Sequence, residues 1–187
     1  MPLQITVILL FILKNFNVHC ASKYFMAESP ILCPNNNQMI AKVKNYSLHN
    51  ENKAVIVQAI IEVNETLKGP IELTITLEKC NMEKTKCSNF PPFNYPDTCP
   101  IFSTTFFGTK FFERIEPKLE CPLKVGNYTF NKSEIDFTQL EKVPFDVGRY
   151  KVKWMFYQSK GLAKKRMVMC FGATAKIMMS SNRGRKN

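Results

Sequence analysis

Histidine, the residue most often used for acid–base catalysis at neutral pH, is nearly absent from this sequence. Its 187 residues include only two histidines, His19 and His49. The Gly-x-Ser-x-Gly and His-Glu-x-x-His patterns, which position a nucleophile or a catalytic zinc ion, are missing as well. The scattered carboxylates are better explained as surface charges than as an acid–base pair. We therefore predict that the protein is not an enzyme and that it uses no cofactor and no metal ion.

Long apolar runs are also lacking. Residues Ile5–Leu13 form an apolar run interrupted only by Thr6, which is too short to cross a bilayer as a helix. Lys14 ends this run, and no second long one follows. We interpret residues 1–20 as a signal peptide that is cleaved after Cys20. The sequence thus predicts a secreted, extracellular protein.

Cysteine counting agrees with secretion. The chain has seven cysteines, and loss of Cys20 with the signal peptide leaves six. An even number in a secreted chain indicates a disulfide framework, and no cysteine is left over for a nucleophile or a zinc site. Six cysteines allow fifteen pairings, between which the sequence alone does not choose.

Four Asn-x-Ser/Thr sequons predict a glycoprotein. They begin at Asn45, Asn64, Asn127 and Asn131. The last two lie in an alternating segment that would place both asparagines on the solvent face and Tyr128 in the interior. We expect at least one sequon to carry a glycan.

Acidic residues are few compared with basic ones: 15 Asp and Glu against 26 Lys and Arg, a formal charge of +11. This balance favours acidic partners such as an anionic membrane surface. Secretion, and lysines scattered along strands, argue against nucleic acid as a partner. The basic segments Lys164–Arg166 and 181–187 are interpreted as a solvated hairpin and a flexible tail rather than as a binding patch.

Apolar and polar residues alternate with period two in several segments, which predicts strands. The turn Leu67–Pro70 predicts that two of these strands form a hairpin. Residues Ser133–Leu140 are interpreted as either a helical turn or an edge strand. Regular strand spacing predicts one all-β domain over residues 21–180, an antiparallel, immunoglobulin-like sandwich. The clearest strands are Met39–Val43, Ala54–Val63, the segment from Ile71, the segment ending at Phe130, Arg149–Tyr157 and Arg166–Ile177.

The last two strands carry apolar faces of particular interest. Trp154 and Phe156 share one face, and Met167 and Met169 are predicted to share another. Such faces line either a packed core or a ligand pocket, which the sequence does not distinguish. Cys170 has the opposite parity, so it points away from the core or lies at a bulge.

Phenylalanine is concentrated between Cys99 and Cys121. If buried against a lipid or a partner, each of these rings would contribute about 2 kcal/mol. Exposed apolar patches mark interaction surfaces, so we predict ligand or membrane binding here; the alternative is that the rings close the end of the sandwich. The rings belong to Phe102, Phe106, Phe107, Phe111 and Phe112.

The cysteine pattern resembles the ML (lipid-recognition) domain, especially its ganglioside-activator branch. The matching features are an early cysteine, the close pair Cys80 and Cys87, the wider pair Cys99 and Cys121, and a last cysteine in the final strand. The phrase from Pro144 to Val152 is similar to a strand entry of that domain. The phrase from Cys121 to Tyr128 resembles an insect family of small secreted proteins that includes chemosensory CheB-type proteins. The resemblance covers residues 30 to 178.

This resemblance implies the disulfides Cys33–Cys170, Cys80–Cys87 and Cys99–Cys121. It also implies a β-cup, in which two splayed sheets enclose an apolar cavity. The ganglioside-activator pattern has a further disulfide within the segment matching Cys99–Cys121, which this chain lacks.

The expected function is a secreted protein that binds a lipid or another hydrophobic small molecule and carries or presents it. A semiochemical is a narrower version of the same expectation, and presentation of lipid to a hydrolase is a variant. The alternative, from a different class, is a secreted protein-binding sandwich that acts as a receptor co-factor without a lipid ligand.

Overall fold

The computed structural model describes residues 23–51, 54–81, 83, 86–103, 109–136, 145–160 and 164–179. The predicted signal peptide and basic tail lie outside these ranges. Two five-residue helices and a single 3-10 turn accompany the strands in these ranges. The strands are β1 (Lys23–Leu32), β2 (Ala41–Glu51), β3 (Ala54–Val63), β4 (Ile71–Cys80), β5 (Cys87–Asn89), β6 (Phe93–Tyr95), β7 (Ile115–Glu116), β8 (Gly126–Asp136), β9 (Gly148–Lys160) and β10 (Lys164–Met179); the helices are α1 (Cys99–Ser103) and α2 (Thr109–Glu113), and the 3-10 turn is Asn36–Gln38.

The strands form two antiparallel sheets packed as a sandwich. Sheet A has the order β1-β10-β9-β4-β5, with the short strand β6 also paired to β4. Sheet B has the order β2-β3-β8-β7. The predicted all-β antiparallel sandwich is therefore confirmed.

The predicted hairpin between β3 and β4 is wrong. Strand β3 pairs with β2 and β8 in sheet B, whereas β4 pairs with β9 in sheet A. The connection is a crossover, anchored where the backbone of Leu67 exchanges two hydrogen bonds with that of Leu123. Val55, Ile56 and Val57 are all buried, so β3 is covered on both faces, as expected for a central strand. The turn at Leu67–Pro70 shows where the chain bends, but it does not show with which strands β3 and β4 pair.

Strand β1 was not predicted, and β2 is longer than the predicted strand Met39–Val43. In both strands a β-bulge interrupts the alternation, at Glu28 in β1 and at Asn45 and Tyr46 in β2. A bulge inserts one residue, so every residue after it points to the opposite face from the one that simple alternation predicts. A search for alternating apolar and polar residues therefore ends the strand at the bulge. Strand β8 also continues past Phe130, and the described part of Ser133–Leu140 is strand up to Asp136.

A bulge at Val168 corrects the predicted face of β10. Met167 pairs with Tyr157 of β9, whereas Met169 pairs with the next residue, Phe156. The two methionines therefore lie on opposite faces, contrary to the prediction. Beyond the bulge, Cys170 keeps the parity opposite to that of Phe171, as the sequence indicated.

The two sheets are closely joined along one side. Strand β1 of sheet A contacts β2 of sheet B. The disulfide Cys33–Cys170 ties the end of β1 to β10 within sheet A. The side chain of Asn50 completes this side, because its Oδ1 accepts from the Ala27 N–H and its Nδ2 donates to the Ala27 carbonyl, both at 2.8 Å. The carboxamide thus replaces a backbone partner across the two sheets.

The opposite side is spanned by the phenylalanine-rich segment. This segment leaves β6 of sheet A, contains α1 and α2, and enters β7 of sheet B. The disulfide Cys99–Cys121 closes it at its base. In the part of the chain that is described, no helix is long and apolar enough to span a bilayer.

Candidate functional site

The candidate site starts from a row of apolar side chains on the inner face of sheet A. Trp154 lies in β9, and its cross-strand partners are Ile75 of β4 and Phe171 of β10. The Trp154 and Phe171 ring centroids are 5.4 Å apart, and the Phe156 ring stacks on Phe171 at 6.0 Å. We call these three cross-strand neighbours, Trp154 and Phe171 with the aliphatic Ile75, the aromatic row.

The aromatic row is only partly buried, although it crosses the middle of the sheet. Its neighbours along the same face, Val152 and Ala173, are also partly buried. In a closed sandwich the inner face of the central strands is the best-covered surface of the molecule. Partial exposure there means that sheet B does not fully cover this part of the apolar face.

The buried apolar residues form two separate clusters, one on each side of this exposed region. The smaller cluster contains Leu77, Tyr150 and Ile177, with Phe25, Phe145 and Val152 packed on it. The larger one contains Phe156 and Met169, and Trp154 and Phe171 pack against it. The two clusters share no residue, so the aromatic row lies where the interior is least continuous.

Sheet B contributes two hydroxyl-bearing side chains to the interior. Tyr46 of β2 packs edge-to-face on Phe171, with ring centroids 5.8 Å apart. Among the described residues its hydroxyl has no hydrogen-bond partner, and burial raises the pKa of the Tyr46 phenol well above its ordinary value. Ser133 of β8 is fully buried, and its Oγ also lacks a hydrogen-bond partner.

The described phenylalanines of the bridging segment turn inward. Phe111 packs against Phe112 at 5.1 Å and against Phe130 of β8 at 5.7 Å, and Phe102 packs on Phe112 at 5.9 Å. All three rings of the segment are partly buried against the larger cluster. These three rings cover part of this side of the sandwich. Phe106 and Phe107 lie outside the described residues.

The structure brings the described members of the predicted ligand-binding set together. They belong to the larger cluster or pack directly against it. Phe156 and Met169 are core residues, whereas the others are partly exposed. The set consists of Phe102, Phe111, Phe112, Trp154, Phe156 and Met169.

Sequence reasoning missed Tyr46 and Ser133. Each follows a β-bulge that moves the side chain onto the inner face of sheet B. The positive φ angles of Asn45 and Lys132, the residues just before them, mark these bulges in the structure. Asparagine at position 45 is a weak sequence signal of such a backbone, since asparagine tolerates it better than most residues.

Charges are confined to the outer face of sheet A between the same strands. Lys151 and Lys153 of β9 lie 3.6 Å and 4.0 Å from the carboxylate oxygens of Glu78. They alternate with Val152 and Trp154, which point inward. The charged face and the apolar face of the sheet are thus cleanly separated.

The three disulfides implied by the resemblance are present: Cys33–Cys170, Cys80–Cys87 and Cys99–Cys121. All six described cysteines are therefore paired. Glu78 lies close to Cys80 and Cys87, but both sulfurs are used in the disulfide and are not thiolate ligands for a metal ion.

All four sequon asparagines are exposed: Asn45, Asn64, Asn127 and Asn131. Tyr128 and Phe130 between them are buried, as the alternating pattern predicted. The asparagines are accessible for modification, and glycosylation itself stays a prediction.

A surface groove of about 400 Å³ lies on the outer face of sheet A, away from the aromatic row. Its wall includes Tyr95, Tyr157 and an ion pair in which Lys165 Nζ lies 2.5 Å from Glu72 Oε2. The groove is open and its charges are internally paired, so it is a weaker candidate than the interior. A scan against models of known protein families and a search of curated proteins each find no match to this chain.

Proposed function

We propose that this protein is secreted and binds a hydrophobic small molecule, such as a lipid or a semiochemical, between its two sheets. It then carries or presents that molecule outside the cell. The observation that supports this most directly is the partly exposed aromatic row at the centre of sheet A. Water in contact with this apolar surface is displaced favourably by an apolar ligand.

Hydrophobic burial favours such a ligand most when its alkyl chain is long. Each buried methylene contributes about 0.8 kcal/mol, so an alkyl chain of about ten methylenes gains roughly 8 kcal/mol. This gain is comparable to the cost of about 4–15 kcal/mol for immobilising a ligand, so longer chains are favoured. A long hydrocarbon lying along the aromatic row is therefore the ligand class that the geometry favours.

Three further points agree with the proposal. Three disulfides are compatible with an extracellular protein. The resemblance to the ML domain, whose β-cup holds lipid, adds a hypothesis of the same kind. The net positive charge of +11 would favour ligand exchange at an anionic membrane surface.

The test is native mass spectrometry of the full chain, produced in a secretory host and then extracted with organic solvent. We expect a stoichiometric hydrophobic compound, or its uptake by the extracted protein. A mass that stays that of the protein alone after incubation with fatty acids, phospholipids and glycolipids would contradict the proposal.

Two leucine substitutions on β10 make matched controls. Ala173→Leu adds volume on the partly exposed inner face beside the aromatic row, and should reduce uptake at least severalfold. Lys176→Leu adds a leucine to the outer face of the same strand and should leave uptake unchanged. Equal loss in both variants would indicate a general effect on folding.

A second candidate function, binding of a protein partner as a receptor co-factor, has one observation of its own. Phe90 and Phe93, on the edge of sheet A, are 38% and 55% exposed. Exposed aromatic rings of this kind are typical of protein-binding surfaces. Phe93 is the cross-strand neighbour of Ile75, so this edge borders the aromatic row. A Phe90→Ala/Phe93→Ala variant that loses a receptor complex but keeps its hydrophobic ligand would separate protein binding from ligand binding.

A further inference from the structure

Ser133 places a polar group in the buried interior of the sandwich. Its side chain is 0% exposed, and its Oγ has no hydrogen-bond partner. A buried hydroxyl without a partner costs roughly 1–3 kcal/mol, and native proteins retain few of them. The group is satisfied if a bound molecule supplies the missing hydrogen bond.

The backbone actively positions this hydroxyl. Tyr128 and Phe130 point inward, so simple alternation would place Lys132 inside. The bulge in β8, where Lys132 has a φ of 56°, instead turns Lys132 to solvent and buries Ser133 opposite Val57. Because of the bulge, the side chain that faces inward at this point is the small neutral hydroxyl of Ser133 and not the charged amine of Lys132.

Tyr46 occupies a related position on the other side of β3. Ala41 and Val43 point inward, and the bulge at Asn45 and Tyr46 brings the tyrosine ring onto the inner face. The ring lies against Phe171, so this hydroxyl adjoins the aromatic row. Two strand spacings separate β2 from β8, and Tyr46 lies two residues further along β3, opposite Ala59, than Ser133. The backbones of Tyr46 and Ser133 are therefore about 12 Å apart.

The facing surface provides no charge. Between Ile71 and Leu77, Tyr150 and Phe156, and Met169 and Ile177, every residue on the inner face of sheet A is uncharged. A carboxylate or ammonium group bound there would lose its hydration without gaining a counter-ion. A neutral oxygen atom incurs a much smaller cost, which one hydrogen bond offsets.

We propose that the ligand is an uncharged, oxygen-bearing hydrocarbon, such as a long-chain alcohol, ester or ketone. Its oxygen exchanges a hydrogen bond with the Ser133 hydroxyl, while its alkyl chain lies along the aromatic row. Serine suits all three classes because its hydroxyl both donates and accepts. This inference rests on the proposed function and specifies the chemistry of the ligand.

The experiment must separate the hydroxyl from the sequon that contains it. Ser133 is the third residue of Asn131-Lys132-Ser133, so Ser133→Ala also removes the glycan acceptor site. We therefore compare Asn131→Gln, which removes only the acceptor, with Asn131→Gln/Ser133→Ala. Both are extracted and then titrated with hexadecane, hexadecanol and hexadecanoate at neutral pH, and bound probe is measured after gel filtration.

We expect hexadecanol to bind Asn131→Gln about tenfold more tightly than the double variant, since one hydrogen bond is lost. Hexadecane should bind the two equally, and hexadecanoate should bind both more weakly than the alcohol. Equal binding of hexadecanol to the two variants would overturn the assignment of Ser133. Failure of every probe to bind would overturn the proposed function itself.

A stability measurement excludes a purely structural role. Ser133 makes no hydrogen bond within the protein, so Asn131→Gln/Ser133→Ala should have the same denaturation midpoint as Asn131→Gln or a higher one. A clear fall in the midpoint would show that the hydroxyl is satisfied by the protein and would contradict the inference. Ser133→Cys, similar in shape but a weak hydrogen-bonding group, should repeat the loss of hexadecanol binding and serves if the alanine variant is poorly produced.

Discussion

At the scale of single residues, Gly172 shows how closely the two longest strands of the protein approach. A Cβ atom at this position would lie 2.3 Å from the Val152 carbonyl oxygen and 3.2 Å from the Lys153 Cα. Both are backbone atoms of β9, so no side chain can move aside to relieve the contact. The absence of a side chain is a packing requirement here.

Gly172→Ala should therefore destabilise the protein by at least about 2 kcal/mol, because the two strands must separate locally. The midpoint of chemical denaturation measures this change. Lys176→Ala, an outward-facing change further along β10, is the control and should have little effect. Equal denaturation midpoints for Gly172→Ala and Lys176→Ala would contradict the close approach of Gly172 to the backbone of β9.

Ser133 and Tyr46 show the limit of residue-level prediction. Their residue types are unremarkable, and their positions in the sequence do not distinguish them from surface residues. Bulges in β8 and β2 place both hydroxyls inside. A local backbone irregularity thus selects which side chain faces the interior, and alternation alone predicts the wrong one.

At the scale of elements, the disulfides join parts of the chain at very different separations. Cys33–Cys170 links residues 137 positions apart, Cys99–Cys121 spans 22 and Cys80–Cys87 spans 7. In the chain-entropy model the stabilisation grows with the length of the closed loop. The first of these bonds ties the first strand to the last, whereas Cys80–Cys87 only closes the turn between β4 and β5.

Replacing each cysteine pair by alanine should give a graded loss of stability. We expect roughly 5 kcal/mol for Cys33–Cys170, 3.4 for Cys99–Cys121 and 2.5 for Cys80–Cys87. Chemical denaturation in the absence of reductant gives the free energy of unfolding of each variant, and so their order of stability. If the Cys80–Cys87 variant were the least stable of the three, loop closure would not explain the role of these bonds.

The assignment of β3 and β4 to different sheets is a second feature at the scale of elements. Each strand is recognisable from its own residues, and the bounds of β3 match the prediction. Their assignment to different sheets depends on β8 and β9, which lie far away in sequence. Partner choice in a sheet is a long-range property, so a Gly-Pro turn between two strands does not establish a hairpin.

At the scale of the whole molecule, the sandwich is asymmetric. One side is joined by β1, β2 and the Asn50 carboxamide, whereas α1 and α2 span the other side. Between these two sides, the apolar face of sheet A around Trp154 is only partly buried. The single tryptophan of the sequence, Trp154, lies on that surface and is a natural reporter.

Binding of hexadecanol should shift the Trp154 emission to shorter wavelength and reduce its quenching by acrylamide. The reason is that the ligand displaces water from a partly exposed indole. In Ala173→Leu both changes should be smaller at the same probe concentration. Stoichiometric binding by mass, with unchanged Trp154 emission, would place the ligand elsewhere on the protein.

The sequence by itself determined the all-β class, the parity of most strands and the supply of six cysteines. These features are local, because alternation reflects which face of a strand is buried and composition limits the available chemistry. The apolar residues that cluster around Phe156 and Met169 could also be identified from the sequence. It did not distinguish a closed core from an accessible one.

Tertiary structure decided how strands pair across sheets, which residues the bulges turn inward and how far the centre of sheet A is covered. Each depends on contacts between residues that are distant in sequence. The burial of Ser133, for example, follows from the bulge at Asn131 and Lys132 opposite Gln58 of β3. No residue pattern within a single strand contains that information, since the same alternation suits a packed sandwich and an open one.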